Sequence, residues 1–219
     1  MKTYKTINRL FLFCLSLCMV SIYCFAQDGG NMVLPKPQLD KGRPLMQVLK
    51  DRKSTRVFSP EKLTPQDLSN ILWAGFGINR PETNGRTAPS AMNEQEIDVY
   101  VTLPEGLYLY DAKNNLLKKI NNKDIRALTG NQGFVKDAGA NIVFVADYSR
   151  TKNGDHNDQK LYAVADAAFI SENMYLYCAS EGFATVERAY INKPELAKAM
   201  GLKPVQEIIF AQTIGYKVK

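Results

Sequence analysis

The segment "DRKSTRVFS", Asp51 to Ser59, places Arg52, Lys53 and Arg56 around Ser54 and Thr55. Two guanidinium forks, an ammonium and hydroxyls in one short turn are a donor set suited to a phosphate, because charge-assisted hydrogen bonds are stronger than neutral ones. By itself the turn also fits a solvated surface, where Arg and Lys usually lie. Two other segments sharpen the reading. The terminal "GYKVK" carries Lys217 and Lys219 on one side of an expected last strand that can reach the same anion. "TAPSAMN", with Pro89, Ser90, Ala91 and Asn93, offers proline, small side chains and an amide, a backbone-lined edge on which a flat heterocycle can rest.

Other chemistries lack their residues. The single histidine, His156, sits in the polar stretch "TKNGDHNDQK", so no His-based triad or zinc site can be assembled. "GFGINR" follows a helical pattern rather than a strand and does not fit a dinucleotide fingerprint. The acidic stretch around Asp155 and Asp158 lacks the glycine and distal glutamate of a calcium loop.

The elements that must position these residues read as α+β. "PLMQVLKDRK" has Leu45, Met46, Val48 and Leu49 at near-helical spacing, and the basic turn falls where that helix ends. Thr64 as N-cap and Pro65 at the first position start a second helix with Leu68, Ile71, Leu72 and Phe76 as its buried stripe. Residues 78–96 read as polar and irregular. "IDVYV" and "GLYLYD" form a hairpin about "PEG", and "ANIVFVADY" is a buried strand. A long helix from Asp158 closes at Gly182, and "ATVERAYI" and "EIIFAQTIGYKV" are late strands around a short helix, Pro194 to Met200.

In this order the motifs resemble the FMN-dependent nitroreductase superfamily, nearest the branch that includes azoline-oxidising dehydrogenases of peptide biosynthesis. An "RRSxRxF" turn after the first helix is matched by Arg52, Lys53, Ser54, Arg56 and Phe58. "RTxPSAGNxQ" is matched by Arg86, Thr87, Pro89, Ser90, Ala91, Asn93 and Gln95, and Gln132 loosely matches a later glutamine. "GLGTV" after the long helix corresponds to Gly182 through Val186. The resemblance implies a central, mostly antiparallel sheet flanked by helices in an intertwined homodimer, with FMN in clefts at the interface. It implies that Arg52, Lys53, Ser54 and Arg56, with Lys217 and Lys219, hold the phosphate and ribityl chain. Pro89, Ser90, Ala91 and Asn93 would approach the ring from the other subunit, and Gln132 and the amides near Thr185, Val186 and Glu187 would meet its polar edge. Met92 stands in place of the family's glycine and Arg188 in place of a small residue, so both are candidates for the substrate face. The implied activity is hydride transfer through flavin N5, from NAD(P)H to a nitroaromatic, a quinone or a similar acceptor. The alternative is a noncatalytic protein that binds flavin or another small heterocycle.

The N-terminus has its own character. Lys2, Lys5 and Arg9 precede an apolar run from Leu10 to Phe25 and a small residue at Ala26, the pattern of a secretory signal over residues 1–26 ahead of a domain over 27–219. This predicts export to the periplasm or beyond, with no stable membrane insertion once the signal is removed. Cys14, Cys18 and Cys24 would leave with it, so Cys178 remains alone and reads as a buried helix thiol. Loss of three cations lowers the formal charge from +6 to +3, which suits a small anionic ligand and gives no footprint for nucleic acid.

Overall fold

The computed structural model describes residues 30–152 and 154–218. The expected signal segment, with Cys14, Cys18 and Cys24, and also Lys219, lies outside the described residues.

The chain runs β1 (Met32–Val33), α1 (Leu45–Asp51), α2 (Pro65–Phe76), β2 (Ile78–Arg80), β3 (Gly85–Arg86), β4 (Ile97–Leu103), β5 (Gly106–Asp111), β6 (Leu116–Asn121), β7 (Ala140–Asp147), α3 (His156–Glu181), β8 (Phe183–Arg188), α4 (Lys193–Met200) and β9 (Gln206–Tyr216). Seven strands form one sheet in the order β1-β6-β5-β4-β7-β9-β8, and each neighbouring pair is antiparallel. The architecture is α+β, as the alternation of patterns predicts. β7 and β9 are near-continuously buried because they lie centrally with helices on both faces.

One face carries α2 and α3 over a core that includes Leu72, Ile71, Val99, Ile142, Phe144, Ile170 and Met174. The opposite face carries α4 over Leu107, Val143, Val145, Ile208 and Leu196. The helices begin where capping chemistry says they should. Thr64 accepts from the Asp67 amide, Asp155 from those of Asn157 and Asp158, and Asn192 from that of Glu195. Gly182 and Gly201 end α3 and α4 in the left-handed conformation, at φ 83° and 70°. α3 starts two residues earlier than its apolar pattern suggests, so His156 is its first residue, with its ring edge-on to Tyr148.

Three regions hold features that the sequence patterns do not announce. The segment ahead of α1 is tied down: β1 pairs with β6, and beyond it Pro35, Gln38 and Arg43 are hydrogen-bonded to Ser69, Asn70 and Ser180. Within 78–96, β2 and β3 make a small exposed hairpin with a register shift. On α1 only Val48 is buried, while Leu45 and Met46 are 60% and 76% exposed. Among the described residues, no helix is long and apolar enough to cross a membrane.

α2 meets α3 at Gly75, where an added Cβ would stand 2.5 Å from Met174 Cε and 2.7 Å from its Cγ. Gly75→Val is therefore expected to overpack this contact and cost about 1–3 kcal/mol in urea denaturation, with Gly75→Ala milder. Wild-type stability in the valine variant would show that the helices are not in contact there.

Candidate functional site

The basic turn is fixed by the outer edge of β8. An edge strand presents amides and carbonyls with no neighbouring strand to take them. Here the Thr55 amide donates to Thr185 O at 2.8 Å, and the Glu187 amide donates to the Tyr175 hydroxyl at 2.7 Å. That hydroxyl lies 3.0 Å from Ser54 Oγ, so Tyr175, on α3 and 8% exposed, links the turn to the strand. A little further on, the Ser59 amide donates to Tyr216 O and pins the turn to β9 as well.

Between this turn, the end of α3 and the end of β9 lies a cleft of about 300 Å³, lined by Arg43, Lys53, Thr55, Tyr175, Ser180 and Lys217 among others. A smaller cleft of about 230 Å³ shares Lys53, Thr55 and Lys217 with it. Among the described residues Lys53 and Lys217 have no carboxylate partner, whereas Asp51 at the rim is committed to Arg43 at 2.6 Å, whose hydrogen bond holds its carboxyl below the usual range. The result is two ammonium groups and hydroxyls lining one concavity, with its one lining acid, Asp51, already bonded to Arg43. That donor set fits a phosphate.

The structure sorts the expected clamp residues. Lys53 and Lys217 line the cleft. Arg52 turns toward α3, with its guanidinium 5.4 Å from the Tyr175 ring centre and 3.8 Å from Glu172. Ser54 meets Tyr175, and Arg56 is exposed and lines neither cleft. Tyr175, Arg43 and Ser180 were not singled out by the sequence reading. A hydroxyl within the buried stripe of α3 was the available signal for Tyr175.

β8 separates two environments, because alternate side chains point to opposite faces. Thr185 lines the cleft, while Val186 packs with Phe58, Ala138 and Ala184 on the other side. Arg188 is on that other side too. It is not a substrate-face residue: it is 5% exposed and bonded to Thr213 Oγ1, Asn141 Oδ1 and Thr129 O. Burial lowers its pKa to about 10. Gln132 lies beside Arg188, its Oε1 buried without a partner, and is not brought to the cleft. Of the amides expected near the ring, that of Glu187 is already taken by Tyr175.

The "PSAMN" turn is a separate, strained unit. Met92, Asn93 and Gln95 have φ of 52°, 56° and 51°, a left-handed backbone that non-glycine residues adopt only when their surroundings impose it. The Gln95 side chain supplies that constraint, donating to Asn84 O and Asn93 Oδ1 and accepting from Arg86 Nε, while its amide donates to Ser90 Oγ. The Ala91 amide donates to Asp166 Oδ2 at 2.9 Å, which ties the turn to α3. Pro89, Met92 and Asn93 are exposed, Met92 at 54%, so the turn presents a surface rather than filling a core.

Beneath the turn lie two buried carboxyls, Glu96 and Asp166, at 2% and 3% exposure. Ser90 Oγ donates to Glu96 Oε2 at 3.5 Å, and Glu96 Oε1 has no hydrogen-bond partner among the described residues. Burial, opposed by a backbone hydrogen bond and reinforced by Asp166, pushes Glu96 up to about 7 from its ordinary 4.5. Between those values the folded chain keeps a proton that the unfolded chain releases, so stability must fall as pH rises through this window. Glu96→Gln is expected to flatten that slope, removing a loss on the order of 1–2 kcal/mol between about pH 4.5 and 7. Denaturant titration across this range is the check, and an unchanged slope in the variant would contradict the assignment.

Comparison with known proteins agrees with this arrangement. The nitroreductase family profile matches residues 49–216, from α1 to the end of β9. A protein named as a nitroreductase in Methanocaldococcus jannaschii is 27% identical over 203 residues, covering 87% of this chain and 100% of that one. A crystal structure of a protein described as a nitroreductase from Ralstonia eutropha superposes with a TM-score of 0.82 at 42% identity, covering 86% of this chain and 90% of that one. A Desulfovibrio desulfuricans protein described likewise, solved in complex with FMN, superposes with a TM-score of 0.59 at 21% identity, covering 81% and 88%. With β4 to β9, the basic turn and the strained loop all falling within the matched span, the chain belongs to the nitroreductase family.

Proposed function

We propose that this chain is an exported FMN-dependent oxidoreductase that works as a homodimer. The observation that carries the reading is the cleft in which Lys53, Thr55 and Lys217 converge, its two ammonium groups unpaired among the described residues. FMN in the Desulfovibrio relative supports the choice of ligand. Lys53 and Lys217 would neutralise the phosphate, with Thr55 donating to it. Tyr175 and Ser54 would hold the turn in register rather than bind, since their hydroxyls already meet.

When bound, FMN supplies two-electron chemistry, accepting hydride at N5 and passing it to an acceptor. The chain's own part is to orient and enclose, and no side chain at the cleft is needed as an acid or base. NAD(P)H is the proposed donor and a nitroaromatic or quinone the proposed acceptor. Met92, exposed on its strained turn, would narrow the acceptor face.

The dimer has support in the surface. Leu45 and Met46 on α1 and Leu161, Val164 and Phe169 on α3 are all exposed, with Leu161 at 66% and Phe169 at 48%. An apolar face of that extent on neighbouring helices is what a second copy would cover. It would also bring a partner's 89–93 turn toward the flavin. Export rests on Lys2, Lys5, Arg9 and the apolar run that follows.

Titration of the purified chain with FMN, followed by desalting and an absorption spectrum, tests the reading. A flavin band near one per chain is expected, with Lys53→Ala and Lys217→Ala each weakening retention by about tenfold or more, the worth of a charge-assisted hydrogen bond. A folded, colourless wild-type protein would overturn it. Stopped-flow mixing of the loaded protein with NADH or NADPH is expected to bleach that band, and subsequent nitroaromatic or quinone to restore it. Retained flavin that no donor and acceptor can cycle would instead establish the noncatalytic binding protein.

A further inference from the structure

We propose that Glu96 is a positioning residue for the acceptor face: a proton shared between its carboxyl and that of Asp166 holds the 89–95 turn, and with it Met92, against α3. The consequence for an acceptor rests on the reading of this turn given above, but the shared proton does not. Met92, Asn93 and Gln95 stand in the left-handed region, at φ 52°, 56° and 51°. A backbone so strained keeps its shape only while its surroundings impose it. Two of its ties run through buried acids. The Ala91 amide donates to Asp166 Oδ2 at 2.9 Å. Ser90 Oγ accepts from the Gln95 amide at 2.8 Å and gives its own proton to Glu96 Oε2 at 3.5 Å.

The acids are themselves held in place. Glu96 directly precedes β4, and its carbonyl accepts from the Asp147 amide and from Arg150 Nη2. Asp166 lies on the buried face of α3 between Ala163 and Ala167, which share a core with Ile97 and Val99. Bonded to the consecutive residues Ser90 and Ala91, the two carboxyls come within hydrogen-bonding reach of each other, and at 2% and 3% exposure both are nearly sealed from water. Glu96 Oε1 is buried without a hydrogen-bond partner among the described residues. Two carboxylates offer only acceptors, whereas one added proton makes the pair a donor and an acceptor. Burial first, opposed by its own amide and reinforced by Asp166, raises the Glu96 carboxyl to about 7.

The charges around the pair are engaged elsewhere. Arg150 gives Nη2 to the Glu96 carbonyl and to Asp98, and Arg86 gives Nε to Gln95 at the base of the turn. Glu94 accepts from the Lys152 amide, and its charge, like that of Asp166, favours the protonated form of Glu96. Tyr148 donates to Glu207, which Lys160 pairs, and His156 stands edge-on to Tyr148. Once the proton leaves, two carboxylates meet in the interior, and opening the turn to water relieves them. In the opened turn Glu96 returns toward its ordinary 4.5. The closed form is therefore fully favoured below 4.5, loses ground as pH rises to about 7, and loses no more beyond it.

Hydrogen exchange of the full chain without FMN, corrected for the intrinsic pH dependence of exchange, tests this on the amides of Ala91, Asn93, Glu94 and Gln95, which are bonded within the turn or to Asp166. Their protection is expected to fall at least about tenfold between about pH 5 and 7 and to level off above, since one pKa unit is a tenfold change. Glu96→Gln keeps a donor that cannot ionise and is expected to hold the acid-side protection throughout, while Glu96→Ala loses it at every pH. His156→Gln is expected to leave the fall in place. Amides of β7 report global unfolding. Turn amides as slow as those of β7 at every pH, a fall that survives in Glu96→Gln, or one that disappears in His156→Gln would overturn the proposal. Should Glu96→Ala fail to fold, the wild type and the glutamine variant decide it. In the FMN-loaded chain, KM for a nitroaromatic is expected to rise over the same range in the wild type and not in Glu96→Gln. A KM that ignores pH would overturn the acceptor role. A chain that binds no FMN would sink the reading of the cleft beside β8 and leave the exchange result standing.

Discussion

The outer edge of β8 is the constraint on which the site depends. As the last strand of the sheet it leaves Thr185 O and the Glu187 amide without a neighbouring strand, and a polar group lost from water without a partner costs about 1–3 kcal/mol. The chain meets this need with two elements distant in sequence, the amide of Thr55 and the hydroxyl of Tyr175. Once those bonds are made, the position of the basic turn is no longer free. Lys53 and Thr55 are carried to the end of β9, where Lys217 stands, and the cleft follows from satisfying a strand edge.

The same strand explains why charge is divided as it is. Thr185 faces the cleft, and one residue to either side the chain faces a sealed interior. There Arg188 is enclosed by Thr213, Asn141 and Thr129, acceptors that compensate for its desolvation. A cation so fully engaged serves the fold. The cations beside β8 are the reverse case, exposed and unpaired, and therefore open to a ligand.

Much of this was legible in the sequence where local chemistry decides structure. Thr64 announces its helix because a cap acts over three residues, and β7 is recognisable as buried because its apolar run is unbroken. The basic turn was legible as a donor set. What remained hidden depends on distant partners. β1 and β3 are two residues long, too short to carry a period, and exist because β6 and β2 are beside them. α1 was readable as a helix, but its exposed Leu45 and Met46 were not, since apolar spacing does not say what covers it. Arg188 and Thr185 differ in role only through the alternation of β8, and Tyr175 is indistinguishable from core until Glu187 and Ser54 are placed against it.

The central claim is that unpaired cations beside an edge strand form a phosphate seat for FMN, and the most direct test is the structure of the FMN-loaded protein. The phosphate is predicted to lie within hydrogen-bonding distance of the Lys53 and Lys217 ammonium groups and Thr55, with the bonds from Thr55 to Thr185 and from Glu187 to Tyr175 unchanged. FMN seated elsewhere, or a turn that leaves β8 on loading, would contradict the account.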